Sequence, residues 1–167
     1  MSGVQPGEVL ARGLGALGLS LDETRQQQLL AYLQLISKWN RVYNLTAVRE
    51  PAEMLTHHLL DSLAVIEPLR REVAALQEAG RAGERPTLLD VGSGAGLPGV
   101  VIAICCPELQ VSCVDTVAKK ATFIQQAAAS LNLPNLRGLH ARTNSLYFSS
   151  IRYQFLISLY RFSSRTF

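Results

Sequence analysis

In the run L-L-D-V-G-S-G-A-G-L-P-G, Leu88 to Gly99, residue types and spacing point to a chemistry. Leu88, Leu89 and Val91 form a short apolar run suited to a buried parallel strand, with the carboxylate of Asp90 at its exit. Gly92, Gly94, Gly96 and Gly99 crowd the turn that follows. Glycine tolerates positive φ and lets the backbone approach a ligand, and Pro98 has its φ preset for the first turn of a helix. Val100 to Cys106 is expected to be that helix. A strand, a glycine turn and a helix N-terminus together present backbone N–H groups to a nucleotide-like ligand.

The spacing leaves more than one ligand open. Gly94, Gly96 and Gly99 satisfy the G-x-G-x-x-G pattern of dinucleotide sites, which is weak on its own. Asp90 precedes the first glycine, and the strand ends at that acid, which is similar to the acid-x-G-x-G-x-G signature of class I S-adenosylmethionine (SAM) methyltransferases. Asp115 closes the next candidate strand, Gln110 to Val114, and is placed to bond the ribose hydroxyls of either cofactor. A glycine-rich turn that binds nothing is the remaining reading.

The elements that must position this turn are legible on both sides. Gly7 to Gly18 carries Val9, Leu10, Leu14 and Leu17 at roughly helical spacing, a weak helix diluted by Gly13 and Gly15. Ser20 and Glu23 form a capping box, which predicts a helix from Ser20 to about Trp39 that buries Leu29, Leu30, Leu33, Ile36 and Trp39. The stretch W-N-R-V-Y-N-L-T, Trp39 to Thr46, reads as a loop with exposed hydrogen-bonding groups. Arg49-Glu50-Pro51 is expected to start another helix leading to H-H-L-L-D-S, on which His58 and Asp61 share a face. That pair is more often a local hydrogen bond or cap than a catalytic dyad. A helix over Leu69 to Ala79 and a linker from Gly80 to Pro86 follow. After Asp115, Ala118 to Leu131 reads as an amphipathic helix with Phe123, Ile124 and Ala127 inward, and Leu136 to Ala141 as a third strand.

Composition sets outer bounds. A chain of 167 residues, 48% apolar and 17% charged, suits one soluble globular domain with a real core. No basic segment followed by an apolar one opens the sequence, and no apolar run is long enough to span a bilayer, so a cytoplasmic location is expected. Cys105, Cys106 and Cys113 fall on the predicted core helix and strand and are expected reduced and buried, and no Cys/His spacing resembles a zinc site. The net charge of +3 conceals an asymmetry: every Asp and Glu lies at or before Asp115. A basic second part suits a polyanion such as RNA, and equally suits ordinary solvated charge.

Taken together, W-N-R-V-Y-N-L-T, H-L-L-D-S and L-L-D-V-G-S-G-A-G-L-P-G resemble the RsmG (GidB) type of bacterial 16S rRNA guanine-N7 methyltransferase, in the family's order over about Val9 to Arg142. The resemblance implies an α/β class I SAM-dependent methyltransferase fold, Rossmann-like with a mostly parallel sheet, under a helical N-terminal cap. It implies a monomer with SAM as methyl donor and 16S rRNA or the small ribosomal subunit as partner. By that analogy Asp90, Gly92, Ser93, Gly94, Gly96, Leu97 and Asp115 bind the cofactor, Asp115 through the ribose hydroxyls. Asn40, Asn44, Thr46, His58 and Asp61 border the cleft, and no residue is assigned as a general base.

The resemblance stops after Arg142. The last 25 residues contain no Ala, Gly, Val, Asp or Glu, yet hold four of the five Phe, three of the five Tyr and six Ser. In the family an acidic residue at the adenine and a central fourth strand come next, and here Thr143 and Asn144 stand near the expected acid. The expectation is a chain truncated or frame-shifted after Arg142, with the C-terminal half of the sheet missing. Its parts are then a cap and linker over residues 1–85, a partial SAM-binding domain over 86–142 and an aberrant tail over 143–167. Against this, Ile151, Tyr153, Phe155, Ile157 and Leu159 alternate as one apolar strand would. Competing readings are an NAD-dependent oxidoreductase fragment using the same turn, a non-catalytic RNA-binding protein using the basic part, and a poorly folded chain left inactive by the loss of its C-terminal part.

Overall fold

In the computed structural model, which describes residues 5–48, 53–82, 85–141 and 155–158, a helical cap packs on a parallel sheet through apolar faces. Helix α1, Pro6–Ala16, begins with Pro6 in its first turn, where a missing N–H costs nothing. Helix α2, Glu23–Tyr43, departs from expectation at both ends. Its N-cap is Asp22, whose carboxylate accepts from the Arg25 backbone N–H at 2.8 Å, so the Ser20 capping box does not form. A carboxylate immediately before the helix also meets the positive end of the helix dipole, which favours Asp at this position. At the other end no glycine or proline interrupts Asn40 to Tyr43, and the helix runs on to Asn44, which caps it in the left-handed region at φ 49°.

The start of a helix at Arg49 to Pro51 lies outside the described residues. From Met54 to Leu60 the chain is a wide π-helical segment, continued by one α-turn, Asp61–Leu63. Helix α3, Ile66–Glu78, follows and buries Ile66, Leu69 and Val73.

Strand β1, Thr87–Val91, leads through the glycine turn into helix α4, Gly99–Cys105. Strand β2 is Gln110–Asp115, helix α5 Ala118–Ser130 and strand β3 Leu136–His140, close to the expected bounds. All residues of α4 are buried, so it is a core helix between the sheet and the cap. From α5, Phe123, Ile124 and Ala127 point inward as expected.

A fourth strand, β4, Phe155–Ser158, pairs parallel with β1, from Leu88 opposite Phe155 to Val91 opposite Ser158. Among the described residues the sheet is short, as expected, and β4 falls within the alternating run that the alternative reading took as one apolar strand. The apolar alternation after Arg142 has the β pattern that can satisfy the open hydrogen-bonding edge of β1. Thr143, Asn144, Ile151 and Tyr153 lie outside the described residues.

Strand order is β3-β2-β1-β4, all pairs parallel. The chain steps outward from β1 to β2 to β3 and then returns to the far edge of β1. That reversal makes the carboxyl end of β1 a topological switch point, where open α/β sheets leave a crevice for ligands.

The three cysteines are free and buried, as expected. Burial pushes the Cys105 thiol up to about 12 and the Cys106 thiol to about 11, which keeps both protonated. Among the described residues no helix is long and apolar enough to cross a membrane.

Candidate functional site

At the carboxyl end of β1 the chain enters the glycine turn, and buried carboxylates hold its shape. Asp90 is fully buried, and its Oδ2 accepts the Gly99 backbone N–H at 3.0 Å, tying the start of α4 to β1. Asp115, at the end of β2, accepts the Gly94 N–H on Oδ2 at 3.0 Å and the Val117 N–H on Oδ1 at 2.9 Å. Lys120 Nζ stands 3.9 Å from Asp115 Oδ2. Neighbouring strands thus grip one turn from two sides.

The glycines divide into two kinds. A Cβ on Gly99 would overlap Cys113 Sγ and lie 2.7 Å from Asp90 Oδ2, so a side chain there would push α4 off the sheet. Gly94, by contrast, has φ 58°, and a Cβ built on it meets nothing within 4 Å. Its requirement is conformational, and the space above it is open. Gly92 has the same open surroundings, whereas Gly96 is packed beneath Val100 and the Tyr32 hydroxyl. The open face of the turn therefore lies over Gly92 and Gly94, and the closed face over Gly96 and Gly99.

Asp90 Oδ1, also buried, lacks a hydrogen-bond partner among the described residues. A buried oxygen without a partner is costly and calls for an explanation. Burial pushes the Asp90 carboxyl up to about 7; the Gly99 N–H acts against that shift, and the nearby Asp115 charge adds to it. The open face over Gly92 and Gly94, with the acceptor oxygens of Asp115 beside it, suits a ligand that carries hydrogen-bond donors. The residues present fit SAM, which carries an ammonium, a sulfonium and a ribose.

The cap residues form a second cluster. Asn40, read from sequence as a loop residue, sits buried in the last turns of α2. Its Nδ2 donates to Val48 O at 3.1 Å and its Oδ1 accepts from the Thr46 N–H at 2.9 Å, which pins the chain after the helix. Thr46 Oγ1 lies 2.8 Å from His58 Nε2 and accepts from the Val48 N–H at 3.3 Å. Asn40, Thr46 and His58 are thereby brought together. Asn44 and Asp61 are exposed; Asn44 serves as the α2 cap, and the Asp61 backbone N–H donates to His58 O. Leu97 is half-buried and packs against the core.

The sequence reading missed Tyr32. It is fully buried on α2, and its hydroxyl donates to Ala95 O, inside the glycine turn, at 2.6 Å. The signal was present, because a tyrosine in the stripe Leu29, Tyr32, Ile36 must find a partner for its hydroxyl. A depression of about 360 Å³ lined by Arg85, Pro107, Glu108, Gln110, Pro134 and Asn135 lies at the opposite, amino end of the strands, away from the turn.

The family described as rRNA small subunit methyltransferase G matches residues 25–161, a span that includes both clusters and β4. A ribosomal RNA small subunit methyltransferase G of Acidovorax ebreus (strain TPSY) is 65% identical over 137 residues, covering 82% of this chain and 61% of that protein. Its namesake from Paracidovorax citrulli (strain AAC00-1) is 65% identical over 140 residues, covering 82% and 58%. A solved coclaurine N-methyltransferase bound to N-methylheliamine and SAH is similar at 18% identity and a TM-score of 0.38, over 82% of this chain and 42% of that one, too slight a likeness to carry an argument. The chain spans about 60% of the length of the curated relatives it matches. Its parallel sheet, with the glycine turn at the switch point, has the α/β architecture of class I SAM-dependent methyltransferases. The chain belongs to the rRNA small subunit methyltransferase G family.

Proposed function

We propose that this chain binds SAM at the glycine turn and serves N7-methylation of a guanine in bacterial 16S rRNA, as a cytoplasmic monomer acting on the rRNA or the small subunit. One observation carries the reading: at the carboxyl end of β1 the open face of the turn lies over Gly92 and Gly94, beside the Asp115 carboxylate that binds the Gly94 N–H. The same residues lie within the span that the family model matches.

In this reading Asp90, Gly92, Ser93, Gly94, Gly96, Leu97 and Asp115 form the cofactor site. When bound, SAM supplies an electrophilic methyl group on a positively charged sulfur. Each carboxylate oxygen of Asp115 accepts one backbone N–H and keeps acceptor capacity for a ribose hydroxyl. Asn40, Asn44, Thr46, His58 and Asp61 border the acceptor side.

Guanine N7 offers a lone pair and carries no proton, so the residues have no proton to remove and their task is alignment. Asn40 fixes the Thr46 backbone, and Thr46 in turn orients the His58 ring. These are positioning contacts, in keeping with a site without a general base.

The test is transfer of labelled methyl from SAM to 16S rRNA, as naked RNA and as small subunits, followed by mapping of the modified base. The expected result is label on one guanine N7. Binding of rRNA without transfer points instead to a non-catalytic RNA-binding protein.

A further inference from the structure

We infer that Tyr32 is a positioning residue for the glycine turn, and that helix α2 is the strut through which the cap sets the turn's shape. The functional meaning of this inference rests on the SAM-binding reading above; its structural content does not.

The turn is held from β1 by Asp90 and from β2 by Asp115. Both contacts grip backbone N–H groups, of Gly99 and Gly94. Ala95, the residue at the crest between Gly94 and Gly96, is held through its carbonyl by a hydroxyl 63 positions earlier in the chain. A turn with positive φ at Gly94 and Gly96 can reorient the intervening peptide at little steric cost, because glycine does not defend one conformation. The Gly96 N–H of that peptide donates to Ser93 O at 2.7 Å, and the Tyr32 hydroxyl holds its other side, the Ala95 carbonyl. It also lies 3.4 Å from the place a Gly96 Cβ would occupy, so it closes the inner face of the turn.

The tyrosine is itself rigidly held. Its ring stacks on Phe123 of α5 at a centroid distance of 6.5 Å, and Trp39 meets the same Phe123 edge-on at 5.4 Å. Burial pushes the hydroxyl well above its ordinary range, with Cys113 and Asp90 acting in the same direction, so it stays a donor. Eight residues on, the same helix carries Asn40, which organises Thr46 and through it His58. At 1.5 Å per residue, Tyr32 and Asn40 stand about 12 Å apart along the helix axis. One helix therefore sets the spacing between the turn and the cap cluster.

The experiment compares the full chain with Tyr32→Phe, which keeps the ring and removes only the hydroxyl, and with Leu29→Ala, a core truncation one turn earlier on the same helix that leaves the Tyr32 hydroxyl in place. Amide hydrogen exchange is followed in the peptide spanning Gly92 to Gly99, and SAM affinity is measured by equilibrium titration. For Tyr32→Phe we expect exchange in that peptide to accelerate about ten-fold and SAM affinity to fall about ten-fold. Leu29→Ala is expected to lower Tm by at least as much while leaving both readings within two-fold of the parent. Unchanged exchange in the turn of Tyr32→Phe, or equal acceleration in both variants, overturns the inference. If the parent chain binds no SAM, the functional reading fails, while the exchange data still decide the role of Tyr32.

Discussion

Single residues in the turn make separable predictions. Asp90 is buried and its carboxyl is pushed from 3.8 up to about 7. A raised folded value favours the protonated form, so the stability this group contributes is fully present below about pH 4 and is lost as pH rises through 7. The shift sets an upper limit of about 4 kcal/mol on that loss. Asp90→Asn keeps an acceptor for the Gly99 N–H and cannot ionise, so the fall in Tm between pH 5 and pH 8 should shrink relative to the parent chain. Thermal melts at the two pH values check this, and an unchanged fall assigns the pH dependence elsewhere. The glycines offer a second contrast. Gly99→Ala drives a methyl into Cys113 and Asp90 and should cost about 1–3 kcal/mol in urea unfolding. Gly94→Ala meets open space and pays only for its positive φ, about 1–2 kcal/mol, yet it places a methyl on the open face and should abolish SAM binding.

Whole elements were legible in the sequence wherever one physical signal dominated. Strands β1 to β3 and helices α4 and α5 fall close to the expected bounds because apolar runs, the glycine turn and the N-L-P-N break all agree there. Helix α2 runs four residues beyond its expected end at Trp39, since Asn, Arg and Tyr have the character of loop residues while Asn40 bonds inward from a helical position. Its start was misplaced because Ser20 and Asp22 are both good caps, and only the backbone decides between them. The π-helical turn over Met54 to Leu60 has no periodic signature that separates it from an α-helix. Tyr32 was hidden for a related reason, because its ring obeys the apolar stripe while its hydroxyl reaches 63 residues away. Asn40 is the element-scale test. Asn40→Ala removes two hydrogen bonds from a buried site and should destabilise the chain by about 2 kcal/mol, with faster amide exchange at Thr46 and Val48. Protection there equal to that of the parent chain contradicts the pinning role.

At the scale of the molecule, β1 joins the cap-covered α/β part to the strand beyond Arg142. Its pairing with β4 over Leu88 to Val91 covers an edge that would otherwise expose a row of backbone groups. Shortening the chain to residues 1–141 should therefore lower Tm and promote self-association visible by light scattering; a monomeric, equally stable fragment contradicts the pairing. The composition changes abruptly after Arg142, yet the family match continues to residue 161, so the two boundaries do not coincide. Whether the turn at the switch point holds SAM is decided by a thermal-shift titration of the full chain with SAM and, in parallel, with NAD. A ligand that binds only the folded state raises Tm as its concentration passes Kd. SAM is expected to give a saturating increase that Asp115→Ala removes, and NAD none; a shift with NAD alone, or with neither, rules out a SAM site at the turn.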